Sequence, residues 1–225
     1  MKITFYGHAS LGIEVGGKHI LIDPYISANP EAAHIDISDL KADYILLTHA
    51  HSDHILDVET IANRTNAVIV SNFEVASHFG NKGFEYHPMN HGGSFSFGFG
   101  KVRFVNAVHS SSFADGSYGG NPGGFVIESE HKNIYISGDT ALTMDMKLIP
   151  MRTKLDLAIF PIGGNFTMDV DDAILASDFV ECDKILGVHY DTFGYIKINH
   201  EESIRKFFDK DKDLMLLEIG ESIEL

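Results

Sequence analysis

The run Tyr44-Ile45-Leu46-Leu47-Thr48-His49-Ala50-His51-Ser52-Asp53-His54 limits what this chain can fold into more than any other stretch. It opens as a short apolar segment of the kind that forms a buried strand and ends in four potential metal ligands within six residues. Side chains two apart on an extended chain point the same way, so His49 and His51 can grip one ion together. Asp53 and His54 follow where the chain must turn, and can face a neighbouring position. Neutral imidazole with carboxylate suits zinc or a similar divalent ion. A histidine-rich surface turn without metal is the bland alternative, and it loses weight because distant parts of the chain repeat the design.

Three further apolar runs end in a ligand type: residues 102–108 lead to His109, 134–138 to Asp139 and 185–188 to His189. Ligands at strand ends along one edge of a sandwich can converge on a single floor. With His49, His51, Asp53 and His54 they make seven, enough for two ions. Three histidines and a shared carboxylate would serve one ion, and two histidines, Asp53 and the same carboxylate the other. Asp23, which ends an early apolar run, reads as an acceptor that fixes a ligand imidazole rather than as a ligand. His8 follows a glycine at a strand end and reads equally as a core histidine or one that faces the site. His91 reads as an ordinary turn residue, and His19, His34, His78, His87, His131 and His200 as background.

Residues 3–6, Leu11–Val15 and 19–22 read as short strands, with Gly16-Gly17 as a two-residue hairpin turn. Helical periodicity covers 55–63 and 73–79, with a strand at 67–70 between them. Strand-like runs at 84–87, 93–97 and 102–107 precede His109, and a glycine-rich segment, 113–124, follows it. Its glycine-rich run, Asp115 to Gly124, lacks the Gly-Lys-Ser/Thr ending of a phosphate loop, so a flexible lid is the better expectation. The second half reads as strands at 125–128, 133–137, 155–160 and 184–188, helices near 144–150, 170–180 and 200–209, and closing strands. Both halves pass from strand runs to strand–helix alternation. The expectation is an α/β fold with two facing sheets and helices outside, one layered domain over 1-225.

Composition narrows the function classes. A chain of 225 residues with 44% hydrophobic and 22% charged residues is of ordinary globular type. No apolar run approaches the ~20 residues of a membrane span, the start lacks a signal-peptide pattern, and one cysteine, Cys182, fits a reducing compartment. A cytoplasmic protein without membrane contact is expected. The net charge of −15, with 17 basic residues against 32 acidic and no basic cluster, disfavours nucleic acid as a partner.

The motif His49-Ala50-His51-Ser52-Asp53-His54, followed in order by His109, Gly138-Asp139-Thr140 and His189, resembles the metallo-β-lactamase superfamily. Gly7-His8-Ala9-Ser10 and the small size are similar to its metal-dependent hydrolase branch, near ascorbate-6-phosphate lactonase and the N-acyl-phosphatidylethanolamine phospholipase D. The resemblance implies a four-layer αβ/βα sandwich whose two facing sheets are mixed. It implies His49, His51 and His109 as ligands of one metal, Asp53, His54 and His189 of a second, and Asp139 as a bridge. The ions would be zinc most often, with manganese or iron in some branches. Branch members are often oligomeric, so a homo-oligomer is within its scope. The implied chemistry is hydrolysis of a small-molecule ester, lactone or phosphodiester by a hydroxide formed between two ions ~3.5–4 Å apart. Asp53 would orient that hydroxide or shuttle its proton, and His8, His91, Tyr118 and Tyr190 are candidates to protonate the leaving group. Tyr190 and Thr192, beside His189, are candidates to touch substrate. The alternatives are a nuclease or cyclic-nucleotide phosphodiesterase and, outside enzymes, a metal-binding scaffold without turnover.

Overall fold

The computed structural model describes residues 1–129 and 132–225; His131 lies outside the described residues. Among the described residues fourteen strands form two sheets of seven. The first sheet holds β1 (Lys2–Phe5), β2 (Leu11–Val15), β3 (Lys18–Ile22), β4 (Tyr44–Leu46), β5 (Val68–Asn72), β6 (Tyr86–Met89) and, from the C-terminal end of the chain, β14 (Ser222–Glu224). The second holds β7 (Ser94–Phe97), β8 (Gly100–Asn106), β9 (Gly123–Ser129), β10 (Lys132–Ile136), β11 (Leu157–Pro161), β12 (Lys184–Val188) and β13 (Asp213–Met215). Each sheet is mixed in the same way. Pairing is antiparallel from β14 through β1 and β2 to β3, then parallel to β6. It is antiparallel from β7 to β10, then parallel to β13. Gly16 and Gly17, both at positive φ, close the β2–β3 hairpin.

The helices α1 (Ser52–Ile55), α2 (Val58–Thr65) and α3 (Phe73–Asn81) belong to the first half, and α4 (Val170–Phe179) and α5 (His200–Phe208) to the second. Side-chain alternation sorts the layers. Ile22, Leu46 and Val70 point between the sheets and join Phe104, Phe125, Ile136 and Ile159. Ile45, Leu47 and Ile69 point the other way, onto Val58 and Ile61 of α2 and Val75 and Phe79 of α3. On the second sheet Ala158, Phe160 and Ile185 pack outward under Ala173 and Ala176 of α4 and Phe207 of α5. The result is the expected αβ/βα sandwich. Strands covered on both faces read as unbroken apolar runs, which is why 44–47 shows no alternation. Asn72, Asp169 and Asn199 cap α3, α4 and α5 by accepting from the backbone N–H of Val75, Asp172 and Glu202.

Two helices differ from the sequence pattern. The periodic stretch 55–63 is split between α1 and α2. Asp57 at the break turns its carboxylate to the backbone N–H groups of Ile26 and Ser27, at 2.6 and 2.9 Å, and to the Ser27 hydroxyl. Residues Met144–Leu148 form a 3-10 helix rather than an α-helix. Among the described residues no helix is long and apolar enough to cross a membrane.

The topology fixes which strand ends meet. An even number of antiparallel steps separates β1 from β3 and β8 from β10, so these strands run the same way as their parallel neighbours. Carboxyl ends of β1, β3 and β4 therefore share one edge of the first sheet, and those of β8, β10 and β12 one edge of the second. Past these ends lie His8, Asp23, the 48–54 run, His109, Asp139 and His189.

Candidate metal centre

Asp139 is the middle of the cluster. Its Oδ2 stands 3.0 Å from His189 Nε2, 3.3 Å from His54 Nε2, 3.5 Å from His109 Nε2 and 4.0 Å from His49 Nε2. The turn that brings it there depends on Gly138, at φ +63; a Cβ would stand 2.7 Å from Thr48 Cβ. Ligand atoms fall into three groups, one of which joins Asp23 to His49 and His54, and the other two lie around this carboxylate. His49, His51 and His109 form one, with His49 Nε2 2.9 Å from His51 Nδ1; Asp53, His54 and His189 form the other, joined by His8.

Asp23 sets the imidazoles of both groups. Its carboxylate accepts from the Thr48 backbone N–H at 2.8 Å, from the Thr48 hydroxyl at 2.6 Å and from His54 Nδ1 at 2.9 Å. Having spent its proton on Asp23, Thr48 Oγ1 can only accept from His49 Nδ1, 3.0 Å away. The network thus places a proton on Nδ1 of His49 and of His54 and turns Nε2 of each toward Asp139.

His54 Nε2 is the decisive atom. It is buried and has no hydrogen-bond partner among the described residues, yet it stands 3.3 Å from a carboxylate oxygen. A proton on Nε2 bridges the two atoms in the metal-free chain, and a divalent ion would take its place. Burial works against a charge on His54, but Asp139 and Asp23 outweigh it and hold its pKa well above the ordinary imidazole range. Burial lowers the pKa of His49, His51 and His109, with neighbouring histidines adding to the effect. Asp139 is buried too, but His189 and His54 keep it well below the usual carboxylate range. Neutral His49, His51 and His109 beside an ionised Asp139 are in the protonation states that divalent metal binding requires, and a metal at His54 would displace its Nε2 proton. The donor set fits a metal.

His8 holds Asp53. Its Nε2–H donates to Asp53 Oδ2 at 3.1 Å, and its Nδ1 lies 3.0 Å from the Thr192 hydroxyl. Burial pushes the His8 pKa down to about 4, so the ring is neutral and carries one proton, which the ionised Asp53 claims. Burial raises the Asp53 pKa, but the His8 hydrogen bond and the histidines around it more than reverse that. His8, Asp23 and His189 are all left-handed, at φ of 54°, 44° and 56°. For residues with a Cβ that conformation costs about 1–2 kcal/mol each, and such strain collects at functional sites. The His189 N–H donates to the His8 carbonyl at 2.7 Å, which ties two of the three together.

The residues 18–190 match the profile of the Beta-lactamase superfamily domain. The chain belongs to that superfamily. A UPF0173 metal-dependent hydrolase of Flavobacterium johnsoniae is 80% identical over the full length of both chains. One from Methylacidiphilum infernorum is 48% identical, again over 100% of both. A metallo hydrolase from the archaeon Ignicoccus hospitalis superposes with a TM-score of 0.90 at 32% identity, covering 100% of this chain and 98% of its own. An isothiocyanate hydrolase from gut bacteria of Delia radicum shares the fold, with a TM-score of 0.82 at 21% identity and coverage of 100% and 99%. The chain is thus a metal-dependent hydrolase with the metallo-β-lactamase fold, as the strand-end ligand pattern leads one to expect.

Within this superfamily fold the cluster of candidate ligands opens into a cavity of about 920 Å³. Tyr25, Phe166, Phe193 and Tyr195 line it beside the ligand candidates, and no Lys or Arg is among its lining residues. Other sequence candidates fall elsewhere. Tyr190 is buried, stacks on Phe5 and does not line the cavity, whereas Thr192 does. Tyr118 is exposed and donates to Asn121; His91 sits beside the Pro122 carbonyl and stacks on Phe104. The glycine-rich segment is not free to act as a lid. Asn72 donates to the carbonyls of Gly119 and Asn121, Ser111 donates to that of Gly119, and Phe113 is buried with its ring stacked on His78.

Proposed function

We propose that this protein hydrolyses an uncharged small-molecule ester or lactone with an apolar or aromatic body, using two divalent ions, most often zinc. His49, His51 and His109 would hold one ion, and Asp53, His54 and His189 the other, with Asp139 shared between them. The observation that carries this reading is the single Asp139 oxygen set among four imidazoles, one of them an orphaned buried nitrogen. When bound, such ions supply Lewis acidity and lower the pKa of water toward neutrality. The chain's own residues do the positioning. His8 fixes Asp53 through Oδ2, so the ionised carboxylate is oriented to accept a hydrogen bond from the attacking water. The aromatic rim of Phe166, Phe193 and Tyr195 offers an apolar surface for the body of the substrate. A cavity wall without Lys or Arg favours the ester and lactone over the phosphodiester, whose negative charge such residues would meet.

The test is a substrate panel run with Asp139→Ala alongside the native chain. Uncharged aryl esters and lactones should turn over faster than phosphodiesters, and Asp139→Ala should abolish hydrolysis in a protein that stays folded. Preference for phosphodiesters, or full activity in the variant, would contradict the reading.

A further inference from the structure

A second cavity, of about 460 Å³, lies on the outer face of the second sheet and shares no lining residue with the one over the metal cluster. It is within the range of small-molecule sites. Alternation builds it. Val102 and Phe104 of β8 and Ile134 and Ile136 of β10 face the other sheet, which turns Arg103 and Tyr135 outward. Register then sets these two on either side of one residue: Arg103 pairs with Val126 of β9, and Val126 pairs with Tyr135. The 3-10 segment and the turn after it roof the space with Met146 and Ile149, and the exposed Leu148 and Met151 stand in its wall.

Tyr135 is fully buried, and its hydroxyl has no hydrogen-bond partner among the described residues. A buried hydroxyl left unpaired costs about 1–3 kcal/mol, a cost that an acceptor arriving in the cavity would remove. Burial and the Asp145 carboxylate raise the phenol's pKa, so it is a donor. Among the described residues Arg103 is held by one long contact of 3.4 Å to Glu128, to an oxygen that also accepts from Thr153 at 2.7 Å. Arg152 adds a second guanidinium to the wall. Against these two positive charges the lining sets one carboxylate, Asp145, which accepts from Asn106 at 2.7 Å. Glu128 meets part of the Arg103 charge, so the lining carries a modest excess of positive charge in a chain of net charge −15.

We propose that this cavity is a second binding site, for a small amphipathic carboxylate. The head group lies over Val126, where the Tyr135 O–H donates to it and the Arg103 fork pairs with it. The apolar tail runs past Met146 and Ile149 to Leu148 and Met151. The methionines let the roof adapt to tails of different shape.

The test titrates the metal-loaded protein calorimetrically with hexanoate, hexanol and inorganic phosphate. Hexanoate should bind saturably, and hexanol and phosphate at least about ten-fold more weakly, as expected for loss of a charge-assisted hydrogen bond or of the apolar tail. Tyr135→Phe, which removes one oxygen, and Arg103→Gln should each weaken hexanoate about ten-fold and leave hydrolysis at the metal centre unchanged. Tyr135→Phe should also keep or raise the thermal midpoint without ligand. Absence of saturable hexanoate binding, or equal binding of hexanol, would overturn the proposal. So would hexanoate binding that ignores both variants but is lost in Asp139→Ala, which would place it at the metals.

Discussion

Asp23 shows how one side chain governs several others. Its two oxygens take three donors, and through Thr48 and His54 they fix the proton position on one imidazole in each half of the cluster. Asp23→Asn would put an amide N–H where an acceptor is needed. Either Thr48 or His54 would lose its acceptor, and a His54 proton forced to Nε2 would sit on the atom that faces Asp139. Metal affinity should fall about 10–100-fold, the range for losing a partner that orients a ligand, in a protein with an unchanged circular dichroism spectrum. Competition with a chromophoric chelator measures this, and an unchanged affinity would show that Asp23 is only structural. Asp23 is legible in sequence because an acid at a strand end before proline stands out. Thr48 is not, since its role depends on a partner 25 positions away. The rim residues Phe166, Phe193 and Tyr195 are invisible for a similar reason: an aromatic residue in a loop carries no sign of which cavity it lines.

At the scale of elements, strands that end in ligands are the device, and the loops around them must fit closely. The loop after β11 passes so near the one after β12 that a Cβ on Gly163 would stand 2.3 Å from the His189 carbonyl and 2.8 Å from Ile196 Cβ. His189 has little room to yield, with its φ at 56° and its N–H bound to His8. Gly163→Ala should destabilise the fold by about 1–3 kcal/mol, as overpacking does, and lower metal retention through His189. Urea midpoints check the first effect, and an unchanged midpoint would mean that the contact relaxes freely. Strand positions are largely legible in sequence because both faces are buried and the runs are apolar. The break between α1 and α2 is not, because Asp57 leaves the helix pattern to serve a loop 30 residues earlier. The 113–124 segment misleads in the opposite direction. Its glycines signal flexibility, whereas its carbonyls are held by Asn72 and Ser111.

The whole molecule is two similar halves, each a mixed sheet with helices on its outer face, joined along an apolar seam. Ligand candidates from both halves meet at one edge, so a bound metal would link the halves and should stabilise the fold by mass action. The excess of negative charge, −15 in all, favours cations there and agrees with a cavity that admits uncharged substrates. In the proposed site seven side chains hold two ions about one shared carboxylate. Elemental analysis of protein purified without chelator or added metal tests it most directly. About two divalent ions per chain are expected, as two-metal hydrolytic sites require. One ion or none per chain, in a protein that still hydrolyses its substrate, would contradict it.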